Sequence, residues 1–328
     1  MSPIALGAAL VPSAVLMWFF HSRDLHPEPA RVLWATFFLG IAAIVPISIV
    51  AGYLDSAVDF IHADNIYLQG TLTAFFVAAV PEEFFKYVIL LRYSMRHDQF
   101  DEPMDGIVYG VAASLGFATL ENILYVAGGG MNVAFSRAVT AVPAHAMMGA
   151  IMGYFAGQAL FRPEKARRFN RLALGCAVML HGLYDAPLII ISNAIKSGIE
   201  LPGYTHGILI ILFAAVLLTH FVWAMWLVIR LRSQQRNELK AQLSKQWQRI
   251  WFRIMFGIVL GAGAVMVLCF WIVLLLENDG TSINQQINPF VLLTAALSGV
   301  SGGILLRSGL KAKKEFDASF KRDLNSGL

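Results

Sequence analysis

Four apolar stretches of this chain carry side chains that hydrocarbon does not tolerate without a reason. Val77–Leu91 reads VAAVPEEFFKYVILL, with Glu82, Glu83 and Lys86 inside it. FATLEN ends in Glu121 and Asn122, VPAHAMMGAIMGYFAGQ holds His145, and HGLYDAP holds His181 and Asp185. An ionisable group at the centre of a membrane helix costs roughly 2.5–3.5 kcal/mol. Carboxylates and imidazoles gathered at one place are the equipment for moving protons, activating water or holding a metal.

Their spacing predicts contacts. Lys86 follows Glu82 by four residues and Glu83 by three, the good orientation for a helical ion pair. Neighbouring residues on a helix diverge by about 100°. One glutamate is therefore expected to face the site while the other turns towards Lys86. His181 and Asp185 are four apart, so the carboxylate can accept from the imidazole and set its tautomer. Pro81, Pro143 and Pro187 lie close to these groups and are expected to kink their helices. Gly149, Gly153 and Gly157 repeat every four residues in line with His145, a stripe that lets another helix approach closely.

The elements that must carry these residues are transmembrane helices. Of 328 residues 57% are hydrophobic and 14% charged, about half the usual charged share of a soluble domain. The expected fold is all-α, a polytopic membrane bundle of about nine spans near 4–20, 32–54, 71–91, 105–127, 138–161, 172–193, 207–229, 254–276 and 289–306. The first run lacks a basic leader and a small-residue cleavage site and reads as a retained helix. All Lys and Arg except Lys86, Arg137 and Lys196 fall on one set of alternate connections. That sorting predicts an N-terminus outside and a C-terminus in the cytoplasm of the cell membrane. It assigns the basic excess to anionic lipid and gives no support to a nucleic-acid partner. Cys176 and Cys269 lie inside predicted spans and read as packing residues.

Antiparallel alternation brings the polar groups of spans three to six to similar depths, between the midplane and the outer face. Taken singly, each has a plain structural reading: a neutralised ion pair, an interhelical amide bond, a satisfied histidine. Their coincidence on four successive helices favours one shared pocket. His220 in the seventh span reads as structural, and the glycines at 128–130 as a turn between spans.

At these residues the chain resembles the PrsW-type intramembrane proteases, of the CAAX-protease and bacteriocin-processing superfamily. EEFFK at 82–86, FATLEN at 117–122, His145 in its small-residue helix and HGLYD at 181–185 carry the resemblance. RDLHPEP at 23–29 resembles the family's acidic, proline-rich first connection. The likeness covers roughly residues 1–195. It implies cleavage of a membrane-anchored protein such as an anti-sigma factor, with Glu82, Glu83 and His181 essential and His145, Glu121 and Asp185 assisting.

Two chemistries suit these residues. In the metal-free one a glutamate takes a proton from water, and His181, oriented by Asp185, donates to the oxyanion. His145 holds or shuttles the proton, Asn122 adds an amide donor, and Lys86 keeps the glutamates from being neutral together. In the alternative, His145, His181 and a carboxylate such as Glu83 hold a zinc ion with one open position. No HExxH motif is present, so no cofactor is the first expectation and zinc the second. A non-catalytic scaffold and an ion-coupled transporter are the readings from other classes. The expected organisation is a seven-span core over 1–230, a basic connector over 231–253 and an appended helical pair with a basic tail over 254–328.

Overall fold

The computed structural model describes residues 3–24, 28–61, 65–235, 248–263 and 289–325. Among these residues every regular element is helical. The chain divides into two compact units, Met1–Gln235 and Arg236–Leu328.

The first unit begins with α1 (Pro3–His21), α2 (Ala30–Ala42) and α3 (Ile44–Phe60). Next comes α4 (Ile66–Leu72), whose start is capped by the Asn65 side chain accepting from the amides of Tyr67 and Leu68 at 2.9 and 3.2 Å. A π-helical turn, Thr73–Ala79, joins α4 directly to α5 (Val80–Arg92). The remaining helices are α6 (Pro103–Val139), α7 (Ala141–Phe161), α8 (Ala166–Lys196) and α9 (Gly203–Gln235).

Among the described residues, five segments of this unit are long and apolar enough to cross a membrane: Pro3–His21, Ala30–Phe60, Pro103–Phe161, Pro163–Lys196 and Gly203–Gln235. The fourth and fifth predicted spans fall on α6 and α7, within one of these segments. The third predicted span is helical throughout but is not among the five. It is divided by the π turn and carries three buried charges.

Proline placement differs from expectation. Pro143 lies in the first turn of α7, where a missing N–H costs no ladder bond, so it starts the helix and does not kink it. Pro81 likewise opens α5, immediately after the π turn. Pro187 is inside α8 as expected.

The centre of the unit is α6, packed against α1, α2 and α7. Its residues from Met104 to Thr119 are buried on all sides. The predicted glycine stripe is what makes this contact: Gly149 and Gly153 of α7 lie on Gly110 and Gly106 of α6, backbone to backbone. A methyl at Gly153 would fall on the Gly106 carbonyl oxygen. Close approach matters in lipid, where packing and not water exclusion holds helices together.

In the second unit, residues 248–263 are helical and Pro289–Asn325 forms a long helix. Ile250 and Ile254 pack with Trp251, Leu306 and Ala312 between the two. Most of the predicted connector (236–247), much of the eighth predicted span (264–276) and Cys269 lie outside the described residues.

Gly153→Ala is expected to lower stability by about 1–3 kcal/mol through overpacking against backbone. Gly175→Ala in α8, with open space around it, is expected to be neutral or slightly stabilising. Thermal unfolding of the two variants in the same detergent checks the pair.

Candidate active site

α5 contributes Glu82, Glu83 and Lys86 from its first two turns, directly after the π turn, a feature that often marks functional sites. α6 contributes Glu121 and Asn122, α7 His145, and α8 His181 and Asp185. The structure brings all eight together.

Lys86 is at the centre. Its ammonium, 0% exposed, is 2.7 Å from Glu83 Oε1, 3.2 Å from Glu82 Oε2 and 3.2 Å from His145 Nδ1. An ammonium has three N–H donors, and these three acceptors use them. The Phe117 ring lies 4.3 Å away and completes the enclosure. The expectation that only one glutamate turns to Lys86 is therefore corrected. The two Cβ atoms diverge, but the three torsions of each glutamate carry both carboxylates back to the same nitrogen.

The histidines take their roles from this arrangement. His145 Nδ1 accepts from Lys86, so the ring proton is on Nε2, which donates to Glu121 Oε2 at 3.1 Å. His181 faces carboxylates on both sides: Nδ1 is 2.8 Å from Glu83 Oε1 and Nε2 is 3.1 Å from Asp185 Oδ2. Glu83 accepts from Nδ1, and the Asp185 carboxylate lies at ion-pair distance from Nε2. The predicted His181–Asp185 pair is present, and Glu83 is the partner that spacing did not predict. The two imidazoles meet edge to face, centroids 5.3 Å apart.

The glutamates are not equivalent. Glu83 is sealed, its side chain 0% exposed, whereas 12% of the Glu82 side chain is exposed and its Oε2 is 3.8 Å from His181 Nε2. Asp185 and Glu121 are also partly open, at 22% and 18%. The site thus has a closed side at Lys86 and Glu83 and an open side at Glu82, Glu121 and Asp185.

Asn122 differs from its expected role as a free amide donor. Its Nδ2 donates to the Ala9 carbonyl at 2.9 Å and its Oδ1 accepts from Arg137 Nε at 3.0 Å. The amide is used to tie α1 and Arg137 to α6.

Arg137 was missed by motif reading. It reaches the site because Gly130 (φ 69°, ψ −155°) folds the end of α6 back. In a straight helix residue 137 would stand about 24 Å from residue 121. Its Nη2 is instead 2.5 Å from Glu121 Oε2. Its place among the few basic residues outside the set on alternate connections was the available signal.

His220 is buried and its Nδ1 donates to the Val216 carbonyl at 2.6 Å, a structural role. A second acidic group, Asp24, Glu102 and Asp105, lies at the other end of α6. Asp105 caps the helix there, accepting from the amides of Asp101 and Glu102 at 2.7 and 2.8 Å. The Tyr109 hydroxyl donates to Glu28, and burial pushes the Glu28 carboxyl above its usual range. These bonds fasten the first connection to α6.

Glu82, Glu83, His145 and His181 each offer one donor atom, all within 4.8 Å of one another. The donor types suit zinc, which takes such atoms at about 2.0–2.2 Å. Three of the four, however, already contact the Lys86 ammonium. A dication on them would be pressed against a like charge. With Lys86 in this position the residues do not fit a metal.

The comparisons with known proteins point to one family. A family model described as PrsW family intramembrane metalloprotease matches residues 28–220. Protease PrsW of Bacillus subtilis (strain 168) is 38% identical over 190 residues, covering 57% of this chain and 84% of that protein. Protease PrsW of Oceanobacillus iheyensis is 32% identical over 233 residues, 71% of this chain and 96% of that protein. Protease PrsW of Clostridioides difficile is 31% identical over 188 residues, 56% and 78% of the two chains. No solved structure matches. These likenesses favour a protease over a scaffold or a transporter.

Three outcomes test the geometry. Lys86→Met is expected to cost about 3–5 kcal/mol, because it leaves buried carboxylates uncompensated. Adding Glu83→Gln is expected to recover part of that loss, as read by thermal unfolding in detergent. Gly130→Ala, at a backbone conformation that essentially only glycine adopts, is expected to cost about 1–3 kcal/mol.

Proposed function

The chain belongs to the PrsW family of intramembrane proteases, and on that premise we propose that Glu82 activates the water that cleaves a membrane-anchored protein. The observation that carries this assignment is the difference between the two glutamates. Glu82 is the one whose side chain keeps some accessibility, 12%, while Glu83 is sealed between Lys86 and His181. A base must reach the proton it removes.

Each group then has a task. Glu82 takes a proton from water on the open side of the site, and the hydroxide attacks the scissile carbonyl. Lys86 keeps Glu82 and Glu83 from both being neutral. Glu83 holds the His181 ring by Nδ1, and Asp185 holds Nε2 at the edge of the open side. As the oxyanion develops, the Nε2–H passes from Asp185 to the new negative charge, which it stabilises. His145, between Lys86 and Glu121, takes part in returning the proton to the leaving amine.

The family's description as a metalloprotease and the four clustered donors favour a second reading, zinc on Glu82, Glu83, His145 and His181. That reading requires Lys86 to leave the donor set.

The resemblance to the wider CAAX-protease superfamily and the sorting of basic residues support the remaining details. The substrate is a membrane-anchored regulator of the anti-sigma-factor kind. The chain crosses the cell membrane about nine times with its N-terminus outside and its tail in the cytoplasm, beside anionic lipid. Residues 1–230 are the protease core, 231–253 the connector, and 254–328 an appended pair for a regulator or lipid.

Membrane-protein fragments compared between cells carrying wild type and Glu82→Gln test the function directly. A fragment that disappears with Glu82→Gln, Glu83→Gln or His181→Ala, each still inserted in the membrane, is the expected result. The expected loss of rate is about 10²–10⁴-fold. Full cleavage by Glu82→Gln sinks the assignment of the base. Purified wild type that still cleaves the identified substrate after exhaustive chelation decides against zinc, and loss of cleavage restored by zinc decides for it.

A further inference from the structure

Arg137 departs from the charge sorting that places nearly every other basic residue on the cytoplasmic connections. It is not a solvated loop residue. Its guanidinium is held on three sides: Nη2 on Glu121 Oε2 at 2.5 Å, Nε on Asn122 Oδ1 at 3.0 Å, and the Tyr125 ring 4.1 Å below. A planar fork with these partners has one orientation, which a lysine does not reproduce.

The Glu121 oxygen that Arg137 binds is the one that accepts from His145 Nε2. The opposite nitrogen of that ring accepts from Lys86, which holds both glutamates. Hydrogen bonds therefore run without a gap from Arg137 through Glu121, His145 and Lys86 to Glu82. We propose that Arg137 is a positioning residue: by holding Glu121 it fixes His145 in the tautomer whose bare Nδ1 faces Lys86.

The physical step is local. Glu121 is partly open, with 18% of its side chain exposed, and has freedom to turn outward. Arg137, itself held by Asn122, prevents this from one side and His145 benefits on the other. Without the guanidinium, Glu121 can turn outward, the Nε2 proton of His145 loses its acceptor, and Lys86 alone is left to favour this tautomer. A ring protonated on Nδ1 has no acceptor for Lys86, and the ammonium then leans on the glutamates alone. The Gly130 fold is what delivers the arginine, which explains why a strained backbone conformation sits beside an otherwise regular helix.

The test uses the full chain, labelled with ¹⁵N-histidine, in lipid bilayers. The sequence has eight histidines, and the His145 signal is identified by its loss in His145→Gln. His220 is the internal control, because its Nδ1–H on the Val216 carbonyl gives it the opposite tautomer on another helix. In wild type His145 is expected as a single Nε2–H form. In Arg137→Gln it is expected as a mixture of both forms, and in Arg137→Lys as a mixture with a smaller second share, with His220 unchanged in both. An unaltered His145 in either variant that retains the His220 signal overturns the proposal. If Arg137→Gln loses the His220 signal as well, Arg137→Lys decides by the same reading.

The kinetic arm rests on the proposed function. Turnover of the substrate identified through Glu82→Gln is expected to fall about tenfold in Arg137→Lys with KM unchanged. Absence of any wild-type cleavage would defeat the proposed function and leave the tautomer result standing. Normal turnover with a mixed tautomer would defeat the positioning role alone.

Discussion

The Lys86 ammonium is the constraint on which this site is built. It is fully enclosed, and each of its three N–H groups has a different acceptor. A buried charge of this kind is tolerable only when every partner is in place. That requirement reaches outward. Glu83 must be turned to Lys86, and so it meets His181. His145 must present a bare Nδ1, and so its proton goes to Glu121. Glu121 then needs a cation, which Arg137 supplies. The order of the whole site follows from satisfying one nitrogen.

The backbone is shaped to permit this. Small residues on α6 and α7 let the two helices touch backbone to backbone, which brings His145 within reach of Glu121. The π turn sits immediately before the two glutamates. Gly130 folds the end of α6 back on itself. Each is a departure from a plain apolar helix. Bundles in lipid depend on packing and satisfied polar groups, so the devices that stabilise this unit and those that place its clustered polar groups are largely the same. The cluster also has a sealed side and an open side: Lys86 and Glu83 are enclosed, while Glu82 and Asp185 keep partly accessible side chains.

Much of this was legible in the residues alone. The i,i+4 spacing of His181 and Asp185 and the placement of Lys86 after two glutamates are properties of one helix, and helical geometry carries them directly into contacts. The glycine stripe beside His145 likewise told of a close neighbour, though not that the neighbour was α6. The helical fold class and the membrane setting follow from apolar runs that have no other stable form in lipid. Motifs on four successive helices pointed to the protease family, and the pairing between them was left open.

What the sequence determined by itself was the set of groups and their local pairs, because a helix of known pitch fixes which residues share a face. Tertiary structure decided the rest: that both glutamates reach Lys86, that Glu83 takes the second nitrogen of His181, that Asn122 is used as a strut, and that Arg137 belongs to the site. Those contacts join residues as much as 113 positions apart, as Asn122 and Ala9 are, or depend on side-chain torsions. Neither distance along the chain nor helical pitch specifies them. They are settled only when the helices pack and each buried charge must find a partner.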